Sequence, residues 1–320
     1  MTKISFVIPC YRSTDTLEHV VQSIIRTVQQ REGLDYEIIL VNDNPPDPTW
    51  DLIERLSAGN SRIHGICFTR NFGQHAALMA GYRNASGDIV VSLDDDGQNP
   101  PEEMFRLIDA LDDRTDLVYA KYRQKKHSWF RNLGSRMNNS MICWLLNKPK
   151  DFYLGSYLAA KKIIIDEMVR CDNPFPYVDG LALRSTDSYR NVEVDHMERE
   201  SGESGYSLGK LLGLWLNGLT AFSVKPLRFA TFAGFLIALL GVVFALIIII
   251  QKLVQGDSVL EGWPSLMTIV LILNGMMMMM LGLVGEYIGR IYVSMNKNPQ
   301  YVIRSRTAGG EERQEDLSDL

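Results

Sequence analysis

The 320-residue chain is poor in the residues that build metal clusters or disulfide frameworks. Its four cysteines, Cys10, Cys67, Cys143 and Cys171, are scattered with no C-x-x-C pair, and its five histidines do not cluster. That spacing argues against a zinc site and fits unpaired thiols in a reducing compartment. The formal net charge of −5 is mild and no basic block suggests nucleic acid, so composition points to no nucleic-acid partner. No secretory leader is expected, because KISFVIPCY near the start reads directly as a strand. Two stretches, 229–250 and 263–285, lack charge altogether. Each exceeds the roughly 18–20 residues that a bilayer-spanning helix needs, which predicts two transmembrane helices, 229–251 and 263–287.

Positive charge orients them. Lys225 and Arg228 precede the first stretch, and Arg290, Lys297, Arg304 and Arg306 follow the second. The short loop 252–262 carries acidic Asp257 and Glu261. An excess of Lys and Arg marks the cytoplasmic side, so residues 1–207 and the tail 288–320 are expected in the cytoplasm, with the short loop outside. Between them, 208–228 places Leu211, Leu212, Trp215, Leu216 and Leu219 on one stripe. That is the pattern of an amphipathic helix lying in the membrane interface, or of an ordinary core helix. The last thirty residues or so, ending EERQEDLSDL, read as a loose polar tail.

What is present in 1–207 is an alternation of short apolar strands and amphipathic helices. Ile4–Ile8, Asp35–Val41, Ile63–Phe68, Ile89–Leu93 and Leu117–Tyr122 read as strands; helices start near Thr14 and cover Trp50–Leu56 and Gln74–Asn84. Such a βαβ pattern predicts an α/β fold, a Rossmann-like, mostly parallel sheet covered by helices. Ligands of such sheets bind outside the carboxyl ends of the strands. Pro9–Tyr11, Asn42–Asp43, Arg70–Asn71 and Asp94–Asp96 all fall at those ends, on one edge, and are the candidate binding residues.

The centre of that edge is GDIVVSLDDDGQNPPE, residues 87–102. In a strand alternate side chains share a face, so Asp94 and Asp96 are expected to point one way and Asp95 the other. Two carboxylates with Gln98 as a further oxygen ligand suit Mg²⁺ or Mn²⁺, hard cations that take a few carboxylates plus substrate phosphates. The alternative is a solvated acidic turn. Downstream, Arg123, Lys125, Lys126, Arg131 and Arg136 form a basic segment able to bind phosphates, or else a solvated helix face. Asp151 and Asp179 are further polar candidates whose other reading is a cap or a turn.

Taken together, Pro9-x-Tyr11, Asn42-Asp43-x-x-x-Asp47-x-Thr49, Arg70-Asn71-Phe72-Gly73, Asp94-x-Asp96-x-Gln98-x-Pro100-Pro101 and the Arg199–Tyr206 loop resemble the family 2 glycosyltransferases. Among these the chain is similar to the polyprenyl-phosphate glycosyltransferases. NFGQHAALMAG at 71–81 and RQKKHSWFRNLGSR at 123–136 bring it near the branch that transfers 4-deoxy-4-formamido-arabinose. The resemblance implies a GT-A fold and an inverting transfer from a nucleotide sugar, UDP-linked in bacteria, to polyprenyl phosphate at the bacterial inner membrane. It implies that Pro9, Tyr11 and Asp43 line the nucleotide, and that Asp94, Asp96 and Gln98 hold the metal. Arg123 and Arg131 would hold the diphosphate or the acceptor phosphate, and Arg199 and Ser204 would close over the site. Asp95 would approach the sugar, Asp151 and Asp179 would be positioning groups, and the family is compatible with a homo-oligomer, a tetramer.

Three departures bear on the donor. Asn42-Asp43-Asn44-Pro45 stands where Asp-Asp-Gly-Ser is usual, Arg12-Ser13 where Asn-Glu is usual, and Ser204-Gly205-Tyr206 where Ser-Lys-Tyr is frequent. Lys210 is a candidate to replace the missing lysine. A processive polysaccharide synthase is disfavoured, since none of the five tryptophans follows an arginine and only two spans are expected. A non-catalytic membrane scaffold that kept the fold is the alternative from another class.

Overall fold

The computed structural model of the chain describes residues 1–44, 47–122, 148–149, 152–195, 225–255, 262–296 and 298–307. Two compact units appear: Met1–Gly205 together with Lys297–Leu320, and Tyr206–Asn296.

In the first unit the apolar runs form strands β1 (Thr2–Cys10), β2 (Leu34–Asn42), β3 (Ile63–Phe68), β4 (Ile89–Ser92) and β5 (Leu117–Tyr122). Between them lie α1 (Leu17–Gln29), α2 (Thr49–Gly59), α3 (Gln74–Asn84) and the short α4 (Met104–Ile108). Further on come β6 (Leu158–Lys161), α5 (Lys162–Val169), α6 (Val178–Ser185), β7 (Tyr189–Val194) and β8 (Ile303–Arg306). The sheet order is β7-β5-β6-β4-β1-β2-β3-β8. Pairs β1–β2, β1–β4, β2–β3 and β5–β7 are parallel, whereas β6 and β8 run against their neighbours. The expected mostly parallel α/β sheet is therefore present. The carboxyl ends of β1, β2, β3, β4, β5 and β7 share one edge.

Both faces of the sheet are covered, as the continuous apolar strands require. Ile4, Phe6, Ile8, Ile38, Leu40 and Val91 pack with Leu17, Val20, Val21 and Ile24 of α1 and with Leu107 of α4. On the other face Val7, Ile39, Val41 and Val90 meet Ala76, Ala77 and Ala80 of α3, Ile165 of α5 and Ala182 of α6. Gly87 enters β4 where a Cβ would sit 2.7 Å from the Lys3 carbonyl oxygen and 2.8 Å from the Ser5 amide nitrogen. Backbone cannot yield as a side chain does, so Gly87→Ala is expected to destabilise the protein by roughly 1–3 kcal/mol, read as a lowered thermal midpoint.

Two expectations need correction, and one strand went unforeseen. Strand β4 ends at Ser92, and Asp95 and Asp96 lie in a turn whose Gly97 has φ +75°, so strand pleating does not order the carboxylates. The expected tail 288–320 is structured in part: residues 303–306 are strand β8, antiparallel to β3, and Gln300 is buried. The antiparallel β6 lies in a stretch whose few residues, LAAK, carry no clear alternation.

In the second unit, helices α7 (Lys225–Gln255) and α8 (Trp263–Met295) are 31 and 33 residues long. Among the described residues, Ile272–Met295 is long and apolar enough to cross a membrane, and Ala230–Gly241 is a shorter apolar stretch. Expected segment 208–228 lies outside the described residues up to Lys225, which begins α7.

Candidate active site

The carboxyl edge gathers its polar groups around the turn after β4. Asp94 accepts hydrogen bonds from Gln74 Nε2 at 2.8 Å and from the Ser156 hydroxyl. Gln74 opens α3, and Ser156 stands just before β6, so Asp94 ties three elements together. Burial raises its pKa, helped by the charge of Asp96 and opposed by the Ser156 hydroxyl. Asp95 turns elsewhere. It accepts the Tyr11 amide at 2.9 Å and the Ser13 hydroxyl, while Thr16 Oγ1 donates to its carbonyl at 2.6 Å. The two carboxylates diverge within the turn, Asp95 being engaged with the β1–α1 loop. Its pKa rises to about 6, chiefly through burial, with the Ser13 and Tyr11 hydrogen bonds pulling it down and Asp94 and Asp96 pushing it up. Asp96 accepts the Gln98 amide at 3.1 Å across Gly97. Tyr122 donates to Asn99, and Tyr157 donates to the Pro100 carbonyl at 3.1 Å, which pins the following loop.

Elsewhere on the edge, Tyr11 is 46% exposed and Arg12, at φ +58°, lies over its ring. Arg70 is exposed and lies over Phe72, 4.6 Å from the ring centroid. Three predicted nucleotide residues are buried. Pro9 pairs with Val41 inside the sheet, and Asn42 donates to Cys67 Sγ at 3.5 Å. Asp43 accepts the Phe72 and Gly73 amides at 2.6 and 2.8 Å. Asp43 thus fixes the turn entering α3, where Gly73 takes φ +94°, and burial raises its pKa against those two bonds.

Asp179, in the first turn of α6, accepts from the Tyr119 hydroxyl at 2.9 Å. Burial lifts its pKa to about 6 against hydrogen bonds from Tyr119 and Tyr177. The Tyr177 ring meets His75 edge-on at 5.0 Å, and burial lowers the His75 pKa to about 4, which keeps the imidazole neutral. Sequence reasoning missed Gln74, Ser156, Ser13, His75, Tyr119 and Tyr177. Gln74 sits inside the 71–81 segment already singled out, but nothing in the spacing of Gln74 or Ser156 marks their shared partner Asp94. Predicted residues Arg123, Arg131, Asp151, Arg199 and Ser204 lie outside the described residues.

Among the described residues no three His, Cys, Asp or Glu side chains converge as a metal cage. A magnesium-type ion needs no such cage: one or two carboxylates plus substrate phosphates suffice. The hard oxygens of Asp94, Asp96 and Gln98, close in chain around a tight turn, fit that donor set. Burial and repulsion from Asp96 penalise the charge of Asp94, and a divalent cation would relieve that penalty.

Residues 5–168 match the family described as Glycosyl transferase family 2. The chain belongs to that family. Residues 225–291 of this glycosyltransferase also match the GtrB C-terminal hairpin. It is 35% identical over 306 residues to the undecaprenyl-phosphate 4-deoxy-4-formamido-L-arabinose transferase of Proteus mirabilis, covering 95% of this chain and 94% of the relative. The protein of the same name from Sodalis glossinidius is 37% identical over 306 residues, 94% of this chain and 93% of the relative. Among solved structures, glucosyl-3-phosphoglycerate synthase from Mycobacterium tuberculosis, in complex with Mn²⁺, UDP-glucose and phosphoglyceric acid, aligns at TM-score 0.48 and 20% identity, over 70% of this chain and 79% of that one.

Proposed function

We propose that this family 2 transferase moves a sugar from a UDP-linked donor to undecaprenyl phosphate, with inversion, at the cytoplasmic face of a bacterial inner membrane. The observation that carries the reading is the meeting of Tyr11, Arg70, Asp94, Asp96 and Gln98 at the carboxyl edge of the sheet, in a chain similar over nearly its whole length to undecaprenyl-phosphate sugar transferases. Tyr11 and Arg70 bind the nucleotide from the exposed rim, and buried Asp43 holds the turn beneath it. Asp94, Asp96 and Gln98 would hold Mg²⁺ or Mn²⁺, which when bound neutralises charge building on the leaving diphosphate. Arg123 and Arg131 supply further positive charge for the diphosphate or the acceptor phosphate, and Arg199 and Ser204 cover the site.

The acceptor is a phosphomonoester with a second pKa near ~6, so it is mostly dianionic at neutral pH and nucleophilic without strong base catalysis. Asp179, steadied by two tyrosine hydroxyls, and Asp151 orient the acceptor. Asp95 acts through the Tyr11 loop that it holds.

Residues 1–207 are the catalytic domain, 208–228 an interfacial helix, and 229–251 and 263–287 the two spans. At 1.5 Å per residue, α7 and α8 each extend for about 45–50 Å, beyond the ~30 Å of a hydrocarbon core. Their side chains support the placement: Phe232, Phe235, Leu240 and Leu246 on α7 and Leu266, Met278, Leu281 and Ile288 on α8 are exposed, as lipid-facing residues are. The positive flanks put the catalytic domain inside.

Titration calorimetry of the full-length protein in detergent checks the donor half of this reading. UDP is expected to bind in Mn²⁺ or Mg²⁺, and at least tenfold more weakly in EDTA. Absence of UDP binding in either condition would leave a membrane scaffold that kept the fold.

A further inference from the structure

We propose that residues 298–307, the segment after α8, are a working part of the active site. They form a strap that sets two of its loops, with Gln300 as the positioning residue. The inference rests on the site reading given above and deepens it.

The strap is anchored at its far end and grips at its near end. Thr307 Oγ1 accepts the Gly65 amide at 2.8 Å and lies 2.7 Å from the Ser57 hydroxyl that donates to it, while Arg306 reaches Asn84 Oδ1 at 2.6 Å. These contacts fix β8 on the edge of the sheet and carry no ligand chemistry. Nearer α8, the strap holds both backbone groups of Thr69. The Thr69 amide donates to the Val302 carbonyl at 2.9 Å, and Arg304 Nη2 donates to the Thr69 carbonyl at 3.0 Å. Thr69 directly precedes Arg70. Tyr301 stacks on Phe68, with ring centroids 5.0 Å apart, and so packs the same turn from the side.

The second grip is made by Gln300, which is 5% exposed. Its Nε2 donates to the carbonyls of Cys171 at 2.6 Å and Asn173 at 2.8 Å. Those residues start the loop that leads to Tyr177 and Asp179. Arg83 holds the same place, donating to the Cys171 carbonyl at 3.3 Å and the Tyr301 hydroxyl at 3.2 Å. One short segment thereby restrains the turn bearing Arg70 and the loop bearing Asp179, two groups that are far apart in sequence. Buried carbonyls that lose their donors must be solvated or find new ones; Arg83 shares the Cys171 carbonyl, and Gln300 Nε2 is the donor that ties Cys171 to Asn173.

The test uses full-length enzyme in detergent and compares Gln300→Ala, Gln300→Glu and Gly87→Ala. Gln300→Glu keeps the side-chain volume and removes the donors. Gly87→Ala lowers stability without touching either loop. Both Gln300 variants are expected to lower kcat about tenfold, with the donor KM within about twofold, the split expected when transition-state positioning is lost and donor binding is not. They are also expected to speed backbone hydrogen exchange across 171–177, a readout that stands whatever reaction the enzyme performs. Gly87→Ala should change neither. Wild-type kcat and wild-type exchange in both Gln300 variants would overturn the proposal. So would equal losses in Gly87→Ala, which would reduce the effect to general destabilisation. A wild-type enzyme without transferase activity would count against the functional reading, and the exchange data would still decide whether the strap holds the loop.

Discussion

Asp96→Asn is expected to lower sugar transfer by about a thousandfold or more, and to remove most of the stimulation by Mn²⁺ or Mg²⁺. The leaving nucleoside diphosphate gains negative charge in the transition state, and a preorganised positive centre at that position is commonly worth several kcal/mol. Asp96 stands at the middle of the β4 turn, its carboxylate joined to the Gln98 amide, and the substitution removes one charged oxygen of the proposed ligand set at little cost in volume. Its effect should therefore appear in metal-dependent UDP affinity as well as in rate. UDP binding measured without metal should be nearly unchanged. An Asp96→Asn enzyme with wild-type activity, or a wild type fully active in EDTA, contradicts the assignment of this turn to a cation.

Asp179→Asn is expected to cost about a hundredfold in kcat, the scale of a misplaced reacting group, and to change the shape of the pH profile. Burial raises the Asp179 pKa to about 6. The sign follows from the raised value: the carboxyl is neutral below that pH and charged above it, so the competent form accumulates as pH rises through 6. An acceptor phosphate with its second pKa near ~6 titrates in the same window. Wild-type activity should thus climb with a slope approaching 2 on the acid limb of a logarithmic plot, and Asp179→Asn with a slope approaching 1. Rates of polyprenyl phosphate glycosylation between pH 4.5 and 8 measure both slopes. Identical slopes in the two enzymes would remove Asp179 from the reaction.

Much of this was legible in the sequence because the informative signals are local. Ile63–Phe68, Gln74–Asn84 and Leu117–Tyr122 fold with the bounds their apolar patterns suggest, and the carboxyl-edge cluster follows from βαβ order alone. The turn at Asp94–Asp96 was misread because pleating was extended past Ser92, where Gly97 and repulsion among neighbouring carboxylates favour leaving the sheet. Asn42 and Asp43 looked like ligand contacts and are buried, Asn42 against Cys67 of β3 and Asp43 on the amides of the turn entering α3, since a strand-end position does not say whether a side chain meets solvent or the next turn. Contacts between distant segments were illegible for a different reason. Ser156 on Asp94, Ser13 on Asp95 and Gln300 on Cys171 join residues 62, 82 and 129 positions apart. No periodicity encodes such pairs, and β8 was hidden by its setting in an otherwise polar terminus.

The most direct test of the central claim is transfer of labelled sugar from a panel of UDP-sugars to undecaprenyl phosphate by the full-length protein in detergent, with Mn²⁺ or Mg²⁺ and with EDTA. The account predicts one metal-dependent labelled lipid, released by mild acid and absent with Asp96→Asn. No labelled lipid from any donor, in a preparation whose folding is verified by its melting transition, would contradict it.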